Sequence, residues 1–376
     1  MNRTIIEILN DVPDYRKGNA IRHNLADILM IGLLTIICNG NDYSAMVLFA
    51  ETHEELLRQF LELPYGIPSQ DTFERVFSKL NPVALAEIFR VWLKETGETI
   101  KDYTTVAIDG KTIRRSKSSH KKAIHVVTAF ASDLQLVLGQ LATDEKSNEI
   151  TTIPKLIDMF CKKGMIITID PMGTQMDIAQ SIVSKKAEYV LAVKGNQQTL
   201  LEDVSMFMDN EVATQDKKSL RDNGSYEMTI EKNHGRIETR QCFISHDVAW
   251  LNCKENWPGL NGMGLIISKR EEHGKAPTIT RHYFIFSIKN ALAADLLRIK
   301  REHWSIENNL HWMLDVTFRE DDARASAFFA AENLNILRKQ ALQLMKLDSS
   351  VSGSMRSKRL RCSYDISFAL KVIGAY

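Results

Sequence analysis

Two short apolar runs, each ending in an aspartate, constrain this chain more than any other feature. The first is Tyr103-Thr104-Thr105-Val106-Ala107-Ile108-Asp109-Gly110-Lys111. β-Branched and apolar residues followed by a carboxylate and a glycine read as a strand. Unbroken apolar character through Val106, Ala107 and Ile108 places it between two covered faces of a sheet. An aspartate at its end stands at the sheet rim, within reach of a ligand. Asp-Gly is also a hairpin signal, and this stretch alone favours the turn. The second run, Gly164-Met165-Ile166-Ile167-Thr168-Ile169-Asp170, repeats the pattern and shifts the balance. Two buried strands ending in carboxylates point to two acids converging on one metal site.

The chain of 376 residues is long enough for two or three structural units. With 44% hydrophobic and 25% charged residues it builds a real core and is not a disordered chain. A net charge of +1 means that any nucleic-acid contact comes from local patches rather than overall basicity. The five cysteines are scattered and form no Cys-x-x-Cys pair. That argues against a disulfide framework or zinc knuckle and for a reducing compartment. The N-terminus runs early into Glu7, Asp11 and Asp14, without the look of a signal peptide. The most apolar run, Ile28 to Cys38, is shorter than the ~20 residues a bilayer span needs. The expectation is a soluble cytoplasmic protein with no membrane partner.

Residues 1–98 carry apolar side chains at helical spacing, as in Leu25, Ile28, Leu29, Leu33, Ile36 and Ile37. An all-helical unit of this size serves as a DNA-reading or dimerising module or as a cap on the next domain; both readings stand. Residues 99–347 read as an α/β catalytic unit. After Asp109 come strands at Ala123-Ala131 and Leu134-Thr143, a helix at Asn148-Cys161, the Asp170 strand, a helix at Gln175-Lys185 and a strand at Glu188-Val193. By pattern and analogy that is the ribonuclease H-like order. At about 199–290, glycine and charged residues rise around strand-like runs, which reads as a mainly β insertion. Helices return from Ala291 to about Phe318 and from Ala331 to Leu347. Residues 348–376 form a C-terminal segment with a basic run, Arg356 to Arg361.

A third acid comes from the helix around Arg298-Trp312. Trp304, Glu307, Asn308 and His311 stand at i, i+3, i+4 and i+7 and share one face. That face serves a polar helix–helix seam, or it delivers Glu307 to the two strand aspartates. Two Asp and one Glu give hard oxygen ligands suited to a pair of Mg²⁺ or Mn²⁺ ions, ~3.5–4 Å apart, acting on a phosphodiester. Glu320, Asp321 and Asp322 compete for the third place but read as a solvated turn. Of Glu145 and Glu149, the latter reads as an ordinary first-turn helix charge. Glu307 is preferred because apolar and aromatic residues frame it.

Six stretches together carry a resemblance. They are Ala107-Ile108-Asp109-Gly110-Lys111-Thr112, Glu145-Lys146-Ser147-Asn148-Glu149-Ile150, the run from Thr168 to Gln175, Val193-Lys194-Gly195-Asn196-Gln197, His234-Gly235-Arg236-Ile237-Glu238, and the run from His303 to Val316. Gly66-Ile67-Pro68-Ser69-Gln70-Asp71-Thr72 adds a seventh. In this order they resemble the H-repeat-associated family of bacterial insertion-sequence transposases, over about Asp14 to Tyr364. The resemblance implies DNA transposition at an Asp-Asp-Glu metal site, with Asp109, Asp170 and Glu307 as its carboxylates and Mg²⁺ or Mn²⁺ as cofactor. It implies double-stranded DNA as partner, both element ends and target, at least a homodimer on that DNA, and a place at the nucleoid. Two departures stand out. Pro171 occupies a position where the family usually has Ala. The Tyr-x-x-Arg-x-x-x-Glu-x₆-Lys signature of related transposases falls on Lys300, His303, Glu307 and Leu314, so only the Glu is kept.

DNA contacts are expected from the basic stretch after Asp109, with Lys111, Arg114 and Arg115. Lys194, Asn196 and Gln197 end the strand expected to lie next to that of Asp109, and His234 and Arg236 lie in the β-rich segment. Arg301, His303 and His311 flank Glu307. The competing functional reading is a catalytically inactive or domesticated DNA-binding relative.

Overall fold

The computed structural model describes residues 3–18, 21–95, 104–117, 122–143, 148–233 and 235–374. Regular structure before residue 96 is helical among these: α1 (Ile5–Asn10), α2 (Leu25–Ile37), α3 (Tyr43–Thr52), α4 (Glu54–Leu57), α5 (Gln70–Lys79) and α6 (Pro82–Glu95). Local chemistry sets the helix starts. Thr4 and Glu7 form a reciprocal capping box at α1, and the Asp42 side chain accepts from the Ala45 N–H at α3. Pro82 opens α6, where a missing N–H costs nothing. α2 is buried on every side, as a helix apolar all round must be.

Next come β1 (Thr105–Thr112), β2 (His125–Ala131), β3 (Leu136–Thr143), α7 (Glu149–Phe160), β4 (Ile166–Ile169), α8 (Met176–Ser184) and β5 (Glu188–Val193). After these follow α9 (Gln198–Thr214), α10 (Lys217–Asp222), β6 (Tyr226–Asn233), β7 (Arg236–Ser245), β8 (Gly262–Glu272) and β9 (Thr278–Phe286). All nine strands form one mixed sheet in the order β3-β2-β1-β4-β5-β9-β8-β7-β6. β1, β4 and β5 run parallel; β2 pairs antiparallel with β1, and β3 pairs antiparallel with β2. The first five strands have the order read from the sequence. The β1–β4 register pairs Ile108 with Ile169. Asp109 therefore stands beside Asp170, where β4 ends while β1 continues to Thr112.

Two expectations change. β5 pairs with β4 and β9, not with β1, because β2 already occupies the other edge of β1. Lys194 thus starts one strand farther from Asp109 than expected. The segment at 199–290 opens with α9, whose buried stripe is Leu200, Val204 and Met208, before any strand forms. Its β6–β9 strands extend the central sheet through the β5–β9 pairing.

α11 (Ala293–Ile306) then crosses the sheet against β1 and β4 and against β6–β8. α12 (Ala330–Leu347), α13 (Met355–Tyr364) and α14 (Ile366–Val372) close the chain. Strand alternation divides the core. Val106 and Ile108 face α7, α8 and α9. Ala107, Val126 and Phe130 face the opposite way, into a core shared by the first helices and α12–α14. α11 covers β4, β5 and β7–β9 on that second side. The basic run near the C-terminus is partly interior. Arg359 is buried, donates to the Ile36 carbonyl at the end of α2, and lies 4.2 Å over the Phe318 ring. Among the described residues no helix is long and apolar enough to cross a membrane.

Candidate active site

Asp109 sits near the end of β1 with its side chain largely covered. Gly110 follows it for a steric reason. A Cβ there would run into the side chains of His125 and Glu149. These two bond each other directly behind the Asp109 backbone, and the other His125 nitrogen meets Thr112 Oγ1 at 2.9 Å. Glu149 is therefore no ordinary first-turn charge: it is buried and tied to β2.

Asp170 opens the loop after β4. Asn196 donates to the Pro171 carbonyl at 2.7 Å, and Gln197 donates to the Thr174 carbonyl at 3.0 Å. Both amides brace the loop behind the second carboxylate. His303 reaches down from α11, with Nδ1 3.0 Å from Thr168 Oγ1 and Nε2 3.3 Å from Asp170 Oδ1. One tautomer satisfies both contacts: Nε2–H donates to Asp170 while Nδ1 accepts from the threonine hydroxyl.

Glu307 follows α11 directly, where the helix widens. The Trp312 N–H bonds the Glu307 carbonyl and the Phe318 N–H bonds the Met313 carbonyl, each five residues back. Such wide turns recur at functional sites. Here they carry Glu307 and His311 toward β1 together. His311 Nδ1 lies 3.3 Å from Asp109 Oδ2 and 3.7 Å from Glu307 Oε2. Ligand atoms of Asp109, Glu307 and His311 fall within 4.8 Å of one another. Asp170 stands outside this trio, held by His303.

The acids are held unequally. Hydrogen bonding from His311 and then from Asp109 pushes Glu307 down to about 2, against its burial. Asp109 is raised, first by burial and further by the Asp170 charge, although His311 opposes this. Asp170 is lowered, mainly by His303, with Lys194 helping. Burial alone would lower His311; its bonds to Asp109 and Glu307 prevail and raise it. Its Nε2 has no partner among the described residues. The result is an acid-rich pocket whose negative charge is only partly met by two imidazoles.

The other expected residues have different surroundings. The Lys111 side chain is only 10% exposed and lies 2.7 Å from Asp315, 2.9 Å from Glu320 and 3.7 Å from Asp321. Its ammonium is committed to those carboxylates rather than facing DNA. Glu320 is fully buried, bonded also to Asn335 and near Arg338, so this acid is not part of a solvated turn, whereas Asp322 is exposed. Arg114 is 80% exposed beside Asp321, and Arg115 donates to the Asp322 carbonyl. Arg301 pairs with Glu231 and Arg236 with Glu238, in a neighbouring cleft. His234 and Glu145 lie outside the described residues. The Lys111 cluster went unread, although a signal existed. Glu307, His311 and Asp315 recur every four residues, and Asp109 and Lys111 share one strand face.

Comparison with known proteins gives the family of the chain. The family model described as "Transposase DDE domain" matches residues 100–344, and its companion "DDE_Tnp_1-associated" matches residues 6–93. The H repeat-associated putative transposase YhhI of Escherichia coli (strain K12) is 35% identical, over 99% of this chain and 98% of its own. Putative transposase YncI of Escherichia coli O157:H7 is 35% identical, over 99% of this chain and 95% of its own. The chain belongs to the DDE transposase family, alongside the H repeat-associated transposases.

Proposed function

We propose that this chain is an insertion-sequence DNA transposase that hydrolyses phosphodiesters at element ends and joins the freed 3′ ends to target DNA. Asp109, Asp170 and Glu307 are its catalytic carboxylates. One observation carries the reading. The β1–β4 register sets the two aspartates side by side, and α11 crosses the sheet to bring Glu307 against Asp109.

The donor set fits divalent cations. Three carboxylates offer hard oxygens, and the trio of Asp109, Glu307 and His311 is already close enough for one ion. Asp109, Asp170 and Glu307 would hold two Mg²⁺ or Mn²⁺ ions, which supply Lewis acidity at the attacking and leaving oxygens. The remaining work belongs to the protein. His303 fixes the Asp170 carboxylate through its link to Thr168, and Asn196 and Gln197 hold the loop behind it. The His125–Glu149 pair backs the Asp109 strand. The His311 imidazole stands between Asp109 and Glu307, its Nδ1 3.3 Å from one and 3.7 Å from the other, which lets the two acids stay close. Exposed Arg114 and Arg115 flank the site and would meet DNA phosphates. Two element ends require at least two copies of the chain, acting on DNA in the cytoplasm.

The test is purified protein with labelled element-end DNA and Mg²⁺ or Mn²⁺, its products mapped at nucleotide resolution. Asp109→Ala, Asp170→Ala and Glu307→Ala should each abolish strand cleavage while end binding survives. Cleavage retained in any one of them removes that residue from the site.

A further inference from the structure

A cleft of about 870 Å³ lies between strands β7–β9 and α11. Its wall is strongly cationic, and most of its cations are matched. Arg240 pairs with Glu231 and Glu238, Arg270 with Glu272, and Arg301 with Glu231. Lys300 is not matched. Among the described residues it has no carboxylate within ion-pair distance, and its ammonium lies 5.1 Å from the centre of the Phe284 ring. A half-buried cation whose acting acid, Asp170, stays beyond ion-pair distance is costly, so such a group is expected to take an anionic partner. Burial, then the charges of Lys194 and Arg240, push it down to about 8 against the opposing charge of Asp170.

Lys300 also lines a smaller cavity of about 100 Å³ with Lys194, His282, Asp170 and His303. His282, Lys300 and Trp304 are common to both cavities, so the cleft leads inward to the second carboxylate. Trp304 stands one helical turn beyond Lys300 and is 54% exposed at this junction. An open indole face suits a nucleobase, and every base has a face to stack. In paired DNA those faces are covered by neighbouring bases.

We propose that this cleft takes an unpaired DNA strand, with a backbone phosphate on Lys300 and Lys194 and a base on Trp304, leading the strand past Asp170. The proposal rests on the transposase reading and names the form of DNA that the site receives.

The test is binding, read by fluorescence anisotropy in EDTA, so that no cleavage is required. The probes are a blunt duplex and the same duplex with an unpaired 3′ overhang. The parent should prefer the overhang. Lys300→Met should weaken overhang binding about tenfold, leave blunt-duplex binding unchanged, and lower the salt slope by about 0.7, the share of one single-strand phosphate. Trp304→Ala should weaken it comparably, and Trp304→Phe should restore most of the loss. Trp304 is exposed, so its variants decide the matter if Lys300→Met does not fold. Equal overhang affinity and salt slope in Lys300→Met and Trp304→Ala would overturn the proposal. So would displacement of the overhang probe by polyglutamate as effectively as by an oligonucleotide of equal charge, which would mark an acidic protein as the occupant. The two readings fail separately. A parent that selects overhangs but never cleaves sinks the transposase reading; a parent that cleaves while these variants bind unchanged sinks only the cleft.

Discussion

Two charge clusters hang from the end of β1, two residues apart on the same strand face. At Asp109 the partners are Glu307 and His311; at Lys111 they are Asp315, Glu320 and Asp321. Both sets come from the stretch that follows α11, yet they are built to opposite ends. The Lys111 cluster places its cation among carboxylates, adds Arg338 and Asn335 around Glu320, and buries that glutamate completely. The Asp109 cluster gathers acids, leaves Glu307 exposed and sets Asp170 near enough to repel. Charge paired around a buried carboxylate holds a fold together. Excess charge of one sign at an open rim is tolerated where a ligand is to supply the rest.

The sharpest way to break this comparison is at Asp109. Asp109→Asn keeps the shape and removes the charge. Strand cleavage should fall by roughly 10³-fold or more, a loss of several kcal/mol of transition-state stabilisation. The melting temperature should stay level or rise, because repulsion from Asp170 is relieved. Cleavage assays and calorimetry on the same preparation check both halves. A variant that melts well below the parent would make the first cluster a structural one.

Lys111 should behave in the opposite way. Lys111→Ala leaves buried Glu320 and its neighbours without their ammonium, and breaking such a pair from one side costs about 3–5 kcal/mol. Urea denaturation should show that loss, while the folded fraction still binds element-end DNA as the parent does. Unchanged stability with weakened DNA binding would return Lys111 to the role of a phosphate contact.

What could be read from residues alone follows from range. Asp109 and Asp170 were visible because an apolar strand that ends in an acid is a local pattern. Glu307 was visible because aromatic and apolar residues frame it within one helix. The partners of Lys111 were not, since Glu320 lies 209 positions away and meets it only after α11 has crossed the sheet. The wide turns after Ile306 have no sequence signature distinct from a helix. α9 was missed although Leu200, Val204 and Met208 recur every four residues, because the polar, strand-rich stretch that follows set the reading of the whole segment. The place of β5 depended on which edge of β1 the β2–β3 hairpin had taken. The side chains named for DNA illustrate the same limit. Asn196 and Gln197 lie close to the site in space, but their hydrogen bonds are spent on the Asp170 loop.

Gly110 joins the two clusters, and a methyl group there tests how tightly β1 is backed. Gly110→Ala drives a Cβ into the bonded His125–Glu149 pair, which is itself buried and cannot swing into solvent. Overpacking of this kind costs about 1–3 kcal/mol. Thermal denaturation should show it, and emptying the space with His125→Ala and Glu149→Ala together should make the added methyl nearly neutral. An added methyl that costs as much in that background would mean that the strain lies in the backbone of β1.

The smallest effect expected lies at the far end of the balanced network, on α12. Lys339 is buried, donates to Thr128 Oγ1 at 2.8 Å and to Gln140 Oε1 at 2.9 Å, and bonds no carboxylate directly among the described residues. Burial, with the Lys111 charge adding and Glu320 opposing, pushes its ammonium from the ordinary 10.5 down to about 7. Between those two values the unfolded chain carries a proton on this lysine that the folded chain has released. Stability therefore rises with pH across that window, by up to about 1.4 kcal/mol per unit. Lys339→Met has no proton to release. The parent should gain about 1 kcal/mol or more on this variant between pH 7.5 and pH 9.5, measured by urea denaturation at each pH. A constant difference would mean that Lys339 stays charged in the fold, and that the neutralising reach of Glu320 extends beyond Lys111 to α12.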